Sequence, residues 1–206
     1  MASPTSTLET PTATEAELPL LRDLVRALDG AGIRYCHWKS NFHLNLALAG
    51  IDDFDVLVER RRFEEFIGAL SVLGFRQAET VTSRQQPGVF HFLGSDPTTG
   101  RLVNVHAYAR VLTGDHFLKS WTWPIEELLL GGTRTIHGVH VPEASRELVV
   151  FTLRGLIKRT GWVDRLLLAR HGDESREELE WLLESGDVEE AGRLCEEALP
   201  ELGAED

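Results

Sequence analysis

Cysteine is scarce in this chain: Cys36 and Cys195 are the only two in 206 residues. Two are too few for a disulfide framework or a cysteine-based zinc site. No apolar run reaches the roughly 18 residues of a membrane span. The opening stretch MASPTSTLETPTATEAELP lacks the basic and apolar regions of a signal peptide, so a cytoplasmic protein is expected. Familiar nucleotide and hydrolase signatures are missing too. There is no Gly-x-x-x-x-Gly-Lys-Ser/Thr loop, no Gly-x-Gly-x-x-Gly fingerprint and no Gly-x-Ser-x-Gly elbow. Kinase, Rossmann dehydrogenase and α/β-hydrolase readings therefore lose their usual support. No repeat of fixed period is present.

Basic residues are also few: 21 Lys and Arg stand against 33 Asp and Glu, a net charge of −12. The imbalance is local. Residues 171–206 hold 14 acids and two bases, which leaves 19 of each in the first 170. Duplex nucleic acid is bound through phosphate neutralisation, so an acidic chain argues against that partner. A neutral core remains compatible with a small nucleotide or a sugar phosphate. Hydrophobic content of 42% and charged content of 26% are ordinary for a globular domain.

The most informative stretch is residues 36–58, CHWKSNFHLNLALAGIDDFDVLV. Residues 33–38 read as a strand, Lys39, Ser40 and Asn41 as a polar break, and residues 42–48 as a short helix closed by Gly50. The chain then re-enters extended structure at Asp53-Phe54-Asp55-Val56-Leu57-Val58. Alternation puts Asp53 and Asp55 on one face and Phe54, Val56 and Val58 on the other. Two carboxylates so placed repel and raise one another's pKa unless a cation or a shared proton lies between them. An acidic turn running into an ordinary half-buried strand is the competing reading.

A polar break after one strand, a short helix and an Asp-x-Asp strand together resemble the nucleotidyltransferase superfamily, the fold of DNA polymerase beta and of small antibiotic-modifying enzymes. Tyr-Cys-His-Trp-Lys-Ser-Asn is similar to a bacterial nucleotidyltransferase-like group associated with surface polysaccharides. The resemblance covers about residues 20–160. It implies an α/β (α+β) fold, a small mixed sheet flanked by helices, in which a Gly-Ser turn grips phosphates and Asp-x-Asp holds Mg2+ or Mn2+. Here Lys39-Ser40 stands in the place of Gly-Ser, and Asp53 and Asp55 match the carboxylate pair. By that resemblance Lys39, Ser40 and Asn41 contact the nucleotide, and a nucleoside triphosphate and a small hydroxylated acceptor are the partners. The family often draws a third carboxylate from a later strand, where this chain offers Asn104 and His106. That departure keeps open a degenerate module that binds a nucleotide or sugar phosphate without turnover.

Expected boundaries are a polar tail over residues 1–15, a domain over 16–142 and a helical region over 143–206. The first helix is expected from near Glu15, with Leu18, Leu21, Leu24, Val25 and Leu28 as its stripe. Residues 60–73 read as a second helix burying Phe63, Phe66, Ile67, Leu70 and Leu73. Strands are expected near 76–82, 89–93 and 101–108, the last two joined by the turn Ser95–Gly100. Asn104 and His106 share one face of the last strand. His106 could ligate metal, act as an acid or base, or simply hydrogen-bond in the core. Asp115 and His116 form a second-rank polar pair. Trp121-Thr122-Trp123-Pro124 reads as an aromatic loop that either stacks on a ligand or plugs the core. Residues 133–141 read as a hairpin turning at His137-Gly138. Residues 147–159 read as a helix with Leu148, Val149, Phe151, Thr152 and Leu156 on its apolar face. Its other face carries Arg154 and Lys158, which with Arg165 form a candidate phosphate-facing patch or a solvated surface.

Overall fold

The computed structural model describes residues 16–79, 86–113, 121–158 and 172–200. The expected tail over residues 1–15, together with Asp115, His116 and Arg165, lies outside them.

Helix α1 spans Pro19–Ala31, not residues from Glu15. Pro19 sets this start. Proline has no amide hydrogen to donate and a fixed φ, so it suits the first helical position and would break a helix already running. Leu20, Leu21, Leu24, Val25 and Leu28 are its buried stripe. Gly32 ends it at φ 63°, with its amide donating to the carbonyls of Asp29 and Leu28. Full burial of a leucine contributes roughly 2 kcal/mol, so this face anchors α1 to the sheet.

Strand β1 (Tyr35–His37), a 3-10 turn (Asn41–His43), helix α2 (Leu44–Leu48) and strand β2 (Phe54–Val58) follow. After a 3-10 turn at Arg60–Arg62, helix α3 runs Phe63–Val72 and buries Phe63, Phe66 and Leu70. Strand β3 covers Arg76–Ala78, β4 Val89–Ser95 and β5 Leu102–Tyr108. The β4–β5 turn is held by Asp96, which accepts from the amides of Thr98 and Thr99 and, across the fold, from that of Leu20 at 2.9 Å. These strands form one mixed sheet in the order β1-β2-β5-β4-β3, in which only β2 and β5 are parallel neighbours.

Each face of the sheet has its own core. Phe54, Val56 and Val58 of β2 and Val103, Val105 and Ala107 of β5 pack with α1 and α3 residues. Cys36, Trp38, Leu57 and Tyr108 point to the other face, against Leu128 and Leu129 and the later helices. The expected alternation of β2 and β5 is therefore present.

Trp121–Trp123 is a strand, β7, rather than a loop, and pairs antiparallel with β6 (Val111–Thr113). Alternating aromatic and β-branched residues favour extended structure, and Trp123 packs against the second core. Helix α4 (Glu126–Leu130) leads to the hairpin β8 (Thr133–Ile136) and β9 (Val139–Pro142). His137 and Gly138 both take positive φ at its turn, the pattern of a two-residue hairpin loop.

Helix α5 (Ala144–Lys158) buries Leu148, Val149, Val150 and Leu153. Its face is rotated from the expected one: Thr152 is exposed and Leu156 is 58% exposed. Helices α6 (Gly172–Ser185) and α7 (Val188–Ala198) pack on α5, with Leu182 and Ala191 buried. Ser145 accepts from the Asp187 amide and donates to Glu190, tying the start of α5 to the α6–α7 junction.

Candidate functional site

The site lies on the second face of the sheet, where the N-terminal end of β2 runs beside the C-terminal half of β5. Register sets it. Asp55 pairs with His106 and Leu57 with Tyr108 across the parallel strands, and His91 on β4 pairs with His106. From the other side, Trp38 donates its amide to the Asp55 carbonyl. Paired residues share a face, so Asp55, His106, Tyr108 and His91 converge, and Lys39, just past the end of β1, reaches them from the polar break.

Lys39 Nζ lies 2.8 Å from Asp55 Oδ1, and His106 Nδ1 lies 3.0 Å from the same oxygen. The Tyr108 hydroxyl is 3.0 Å from both Lys39 Nζ and His106 Nδ1. The His91 and His106 rings stack with centroids 4.1 Å apart. Asp53 accepts from the Asn104 amide nitrogen at 2.9 Å. The Lys39 ammonium also lies 5.5 Å from the Trp38 ring centroid and 5.1 Å from that of Tyr108, and the Arg154 guanidinium sits 5.9 Å from the Trp38 ring.

The carboxylate pair is thus not left in mutual repulsion, as the sequence had implied. Lys39 supplies the cation. Burial pushes the Asp55 pKa up, but the Lys39 charge and hydrogen bonds from His106 and Lys39 outweigh it and hold the carboxyl below the ordinary range. Burial lowers His106 to about 4, against the pull of Asp55, so the imidazole is neutral near pH 7. His106 Nδ1 faces both the Asp55 carboxylate, which can only accept, and the Tyr108 hydroxyl, which can donate or accept. The tautomer with its proton on Nδ1, directed at Asp55, leaves a lone pair on Nε2, which is buried and without a hydrogen bond.

Ser40 takes φ 56° and ψ 39°, a left-handed conformation that glycine adopts freely and serine rarely does. It turns the chain from β1 into the 3-10 turn where the resemblance called for Gly-Ser. Ser40→Val should destabilise the fold by about 1–2 kcal/mol, because a β-branched side chain tolerates this conformation least. Ser40→Gly should fall within about 0.5 kcal/mol of wild type. Urea denaturation of the two variants checks the pair.

Asn41 is placed differently from the nucleotide-contacting role expected of it. It is buried, its Oδ1 lies 2.6 Å from His37 Nδ1, and its Nδ2 donates to Glu147 Oε1 at 2.8 Å. Its side chain is committed to holding the break against α5. Arg154 stands beside Lys39 and Trp38, and Lys158 closes α5. His137 and His140 stand away from the site beside Glu17 and Asp29. Tyr108 and His91 were not foreseen as site residues, although strand parity with His106 places Tyr108 on its face. Glu147 was also missed.

No group of three or more His, Cys, Asp and Glu side chains gathers as a metal centre among the described residues. The donor chemistry nonetheless fits a hard divalent cation. Asp53 and Asp55 offer carboxylate oxygens, and Asn104 Oδ1 is a buried acceptor without a hydrogen bond. Among the described residues, no helix is long and apolar enough to cross a membrane.

No family model matches the chain, and no curated protein matches it. Among solved structures, it is similar to the solution structure of the antibiotic-resistance factor ANT(2'')-Ia, described as showing substrate-regulated conformation dynamics. The TM-score is 0.50 at 14% identity, over 90% of this chain and 92% of that one. Likeness at this identity speaks for architecture, and with the five-stranded mixed sheet it gives the chain a nucleotidyltransferase-like fold.

Proposed function

We propose that the protein transfers a nucleotidyl group from a nucleoside triphosphate to a small hydroxylated acceptor, such as a sugar. The observation that carries this reading is the convergence of Lys39, Asp53, Asp55 and His106 on one sheet face of a nucleotidyltransferase-like fold.

In the reaction the acceptor hydroxyl oxygen bonds to the α-phosphorus, the α–β phosphoanhydride bond breaks, and pyrophosphate leaves. The hydroxyl proton must go to a base. With its proton on Nδ1, His106 keeps a lone pair at Nε2, and in this reading the imidazole orients the hydroxyl and takes the proton. Asp55 fixes the ring by accepting from Nδ1. Lys39 contacts phosphate by charge, Ser40 through its hydroxyl and backbone amide, and Arg154 from the flank of Trp38. Asp53 and Asp55, with the Asn104 oxygen, would hold Mg2+ or Mn2+, which when bound supplies charge neutralisation to the triphosphate and acidifies the acceptor hydroxyl.

A second reading has its own observation. Lys39 already neutralises Asp55, and Asn104 replaces a carboxylate, which suits a module that binds a nucleotide or sugar phosphate without turnover. The two readings share a binding test. Metal with a nucleoside triphosphate should raise the melting temperature by mass action on the folded state. Asp53→Asn, which leaves the Lys39–Asp55 pair intact, should remove most of that rise. Identical responses from wild type and variant would remove the Asp-x-Asp site from the account.

A further inference from the structure

We infer that Lys39 is a displaceable internal counter-ion, whose ammonium must leave Asp55 before a divalent cation can bind there, so that metal and triphosphate load the site together. The inference rests on the nucleotidyl-transfer reading and adds to it a coupling between the two ligands.

Asp55 Oδ1 is approached by Lys39 at 2.8 Å and by His106 at 3.0 Å. A bound Mg2+ would sit about 2.1 Å from a carboxylate oxygen, within the space that the ammonium and the imidazole N–H already crowd. The Lys39 and Asp55 side chains are only 17% and 13% exposed, so two cations brought together at this carboxylate repel with little screening by water. Metal and Lys39 therefore exclude one another at Asp55.

Lys39 is built to move without unfolding the turn. The faces of Trp38 and Tyr108 border it, and its flexible four-carbon stem can carry Nζ off Asp55 while the backbone stays in place. Leaving Asp55 alone would strand a buried ammonium beside Arg154, a second cation that works against its charge. A triphosphate removes that penalty by offering its oxygens to both. The metal alone meets an occupied carboxylate, and the triphosphate alone meets Asp53 and Asp55. Together they satisfy every charge, so each should raise the other's affinity.

The test uses the full chain, MnCl2 as the metal and a non-hydrolysable nucleoside triphosphate. Mn2+ binding without nucleotide is followed by electron paramagnetic resonance. Lys39→Met keeps the apolar stem and removes the charge, and it should bind Mn2+ at least about tenfold more tightly than wild type, within the range of site coupling. Adding Asp55→Asn to Lys39→Met should reverse the gain. A measurement on wild type guards against misfolding of the variant. The chain has only three lysines, Lys39, Lys119 and Lys158, so acylation of each amine is readily resolved by mass spectrometry. Saturating Mn2+ should speed acylation of Lys39, and further addition of the triphosphate should slow it. Equal Mn2+ affinity in wild type and Lys39→Met, or Lys39 acylation that ignores Mn2+ bound at the site, would overturn the exchange. Either result can coexist with nucleotidyl transfer. Loss of the transfer reading shows separately, as wild type that gives no thermal response to metal with triphosphate.

Discussion

Asp55→Ala is expected to destabilise the folded chain by roughly 3–5 kcal/mol at pH 7, the usual cost of breaking a buried ion pair from one side. The lower end applies, because Lys39 retains 17% side-chain exposure and Tyr108 still accepts from it. What is lost is less the attraction between the two charges than the means of keeping the Lys39 ammonium inside. Asp55→Asn should be milder, since an amide oxygen can still accept from Nζ. The pH dependence has a definite sign. The Asp55 carboxyl titrates lower in the folded chain than in the unfolded one. Its contribution is therefore complete above the unfolded value of about 4 and is lost as pH falls below it. Urea denaturation from pH 7 down to pH 3 should show the gap between wild type and Asp55→Ala narrowing in the acid range. A constant gap would mean that Asp55 acts through packing and not through charge.

The second large effect lies behind the site, at Glu147. This carboxyl is 3% exposed, accepts from Asn41, and stands 3.9 Å from Arg134. Burial raises its pKa to about 7, helped by the charge of Glu178 and opposed by the Asn41 hydrogen bonds and by Arg134. Here the sign is the reverse of that at Asp55. The folded chain holds the Glu147 proton more tightly than the unfolded chain, so stability declines as pH rises from about 4.5 towards 7, and the cost is complete above that. Glu147→Gln keeps an acceptor for Asn41 and removes the titration. It should match wild type near pH 5 and exceed it at pH 8 by up to about 3 kcal/mol. Thermal melts at the two pH values decide this. A variant that is less stable at both would show that the ionised carboxylate is needed by Arg134.

Much of this architecture is legible in the sequence because it is written in short-range pattern. Alternation in Phe54-Asp55-Val56 and in Val103-Asn104-Val105-His106 gives strand faces directly, and apolar spacing gives α1 and α3. The places where reading failed are those where local pattern competes with a stronger constraint. Pro19 outweighs the stripe that would extend α1 backwards. Trp121-Thr122-Trp123 gains its strand from pairing with Val111–Thr113, a partner that its own composition does not reveal. The α5 face is set by the sheet it meets, and Leu153 rather than Leu156 arrives there.

For the site, the residue types were visible but their partners were not. Asp53 and Asp55 are evident as a pair. That Lys39 neutralises one of them follows from β1 lying antiparallel to β2, which brings Trp38 beside Asp55. Strand order is a property of the whole fold and leaves no mark in either segment alone. Tyr108 was within reach of parity with His106. Glu147 was not, because a single acid ahead of Leu148-Val149-Val150 looks like the start of any amphipathic helix, while its burial depends on Asn41, 106 residues earlier in the chain.

The most direct test of the central claim is pyrophosphate release from mixed nucleoside triphosphates in the presence of Mg2+ or Mn2+ and a panel of sugars and other small hydroxylated acceptors. Wild type should release pyrophosphate only with metal and with an acceptor present. Asp53→Asn should lose most of that activity while melting close to the wild-type temperature, because Asp53 touches Asn104 and not the Lys39–Asp55 pair. Saturable triphosphate binding with no pyrophosphate release under any combination, in a protein that is fully folded, would contradict transfer and leave the binding module as the function of this site.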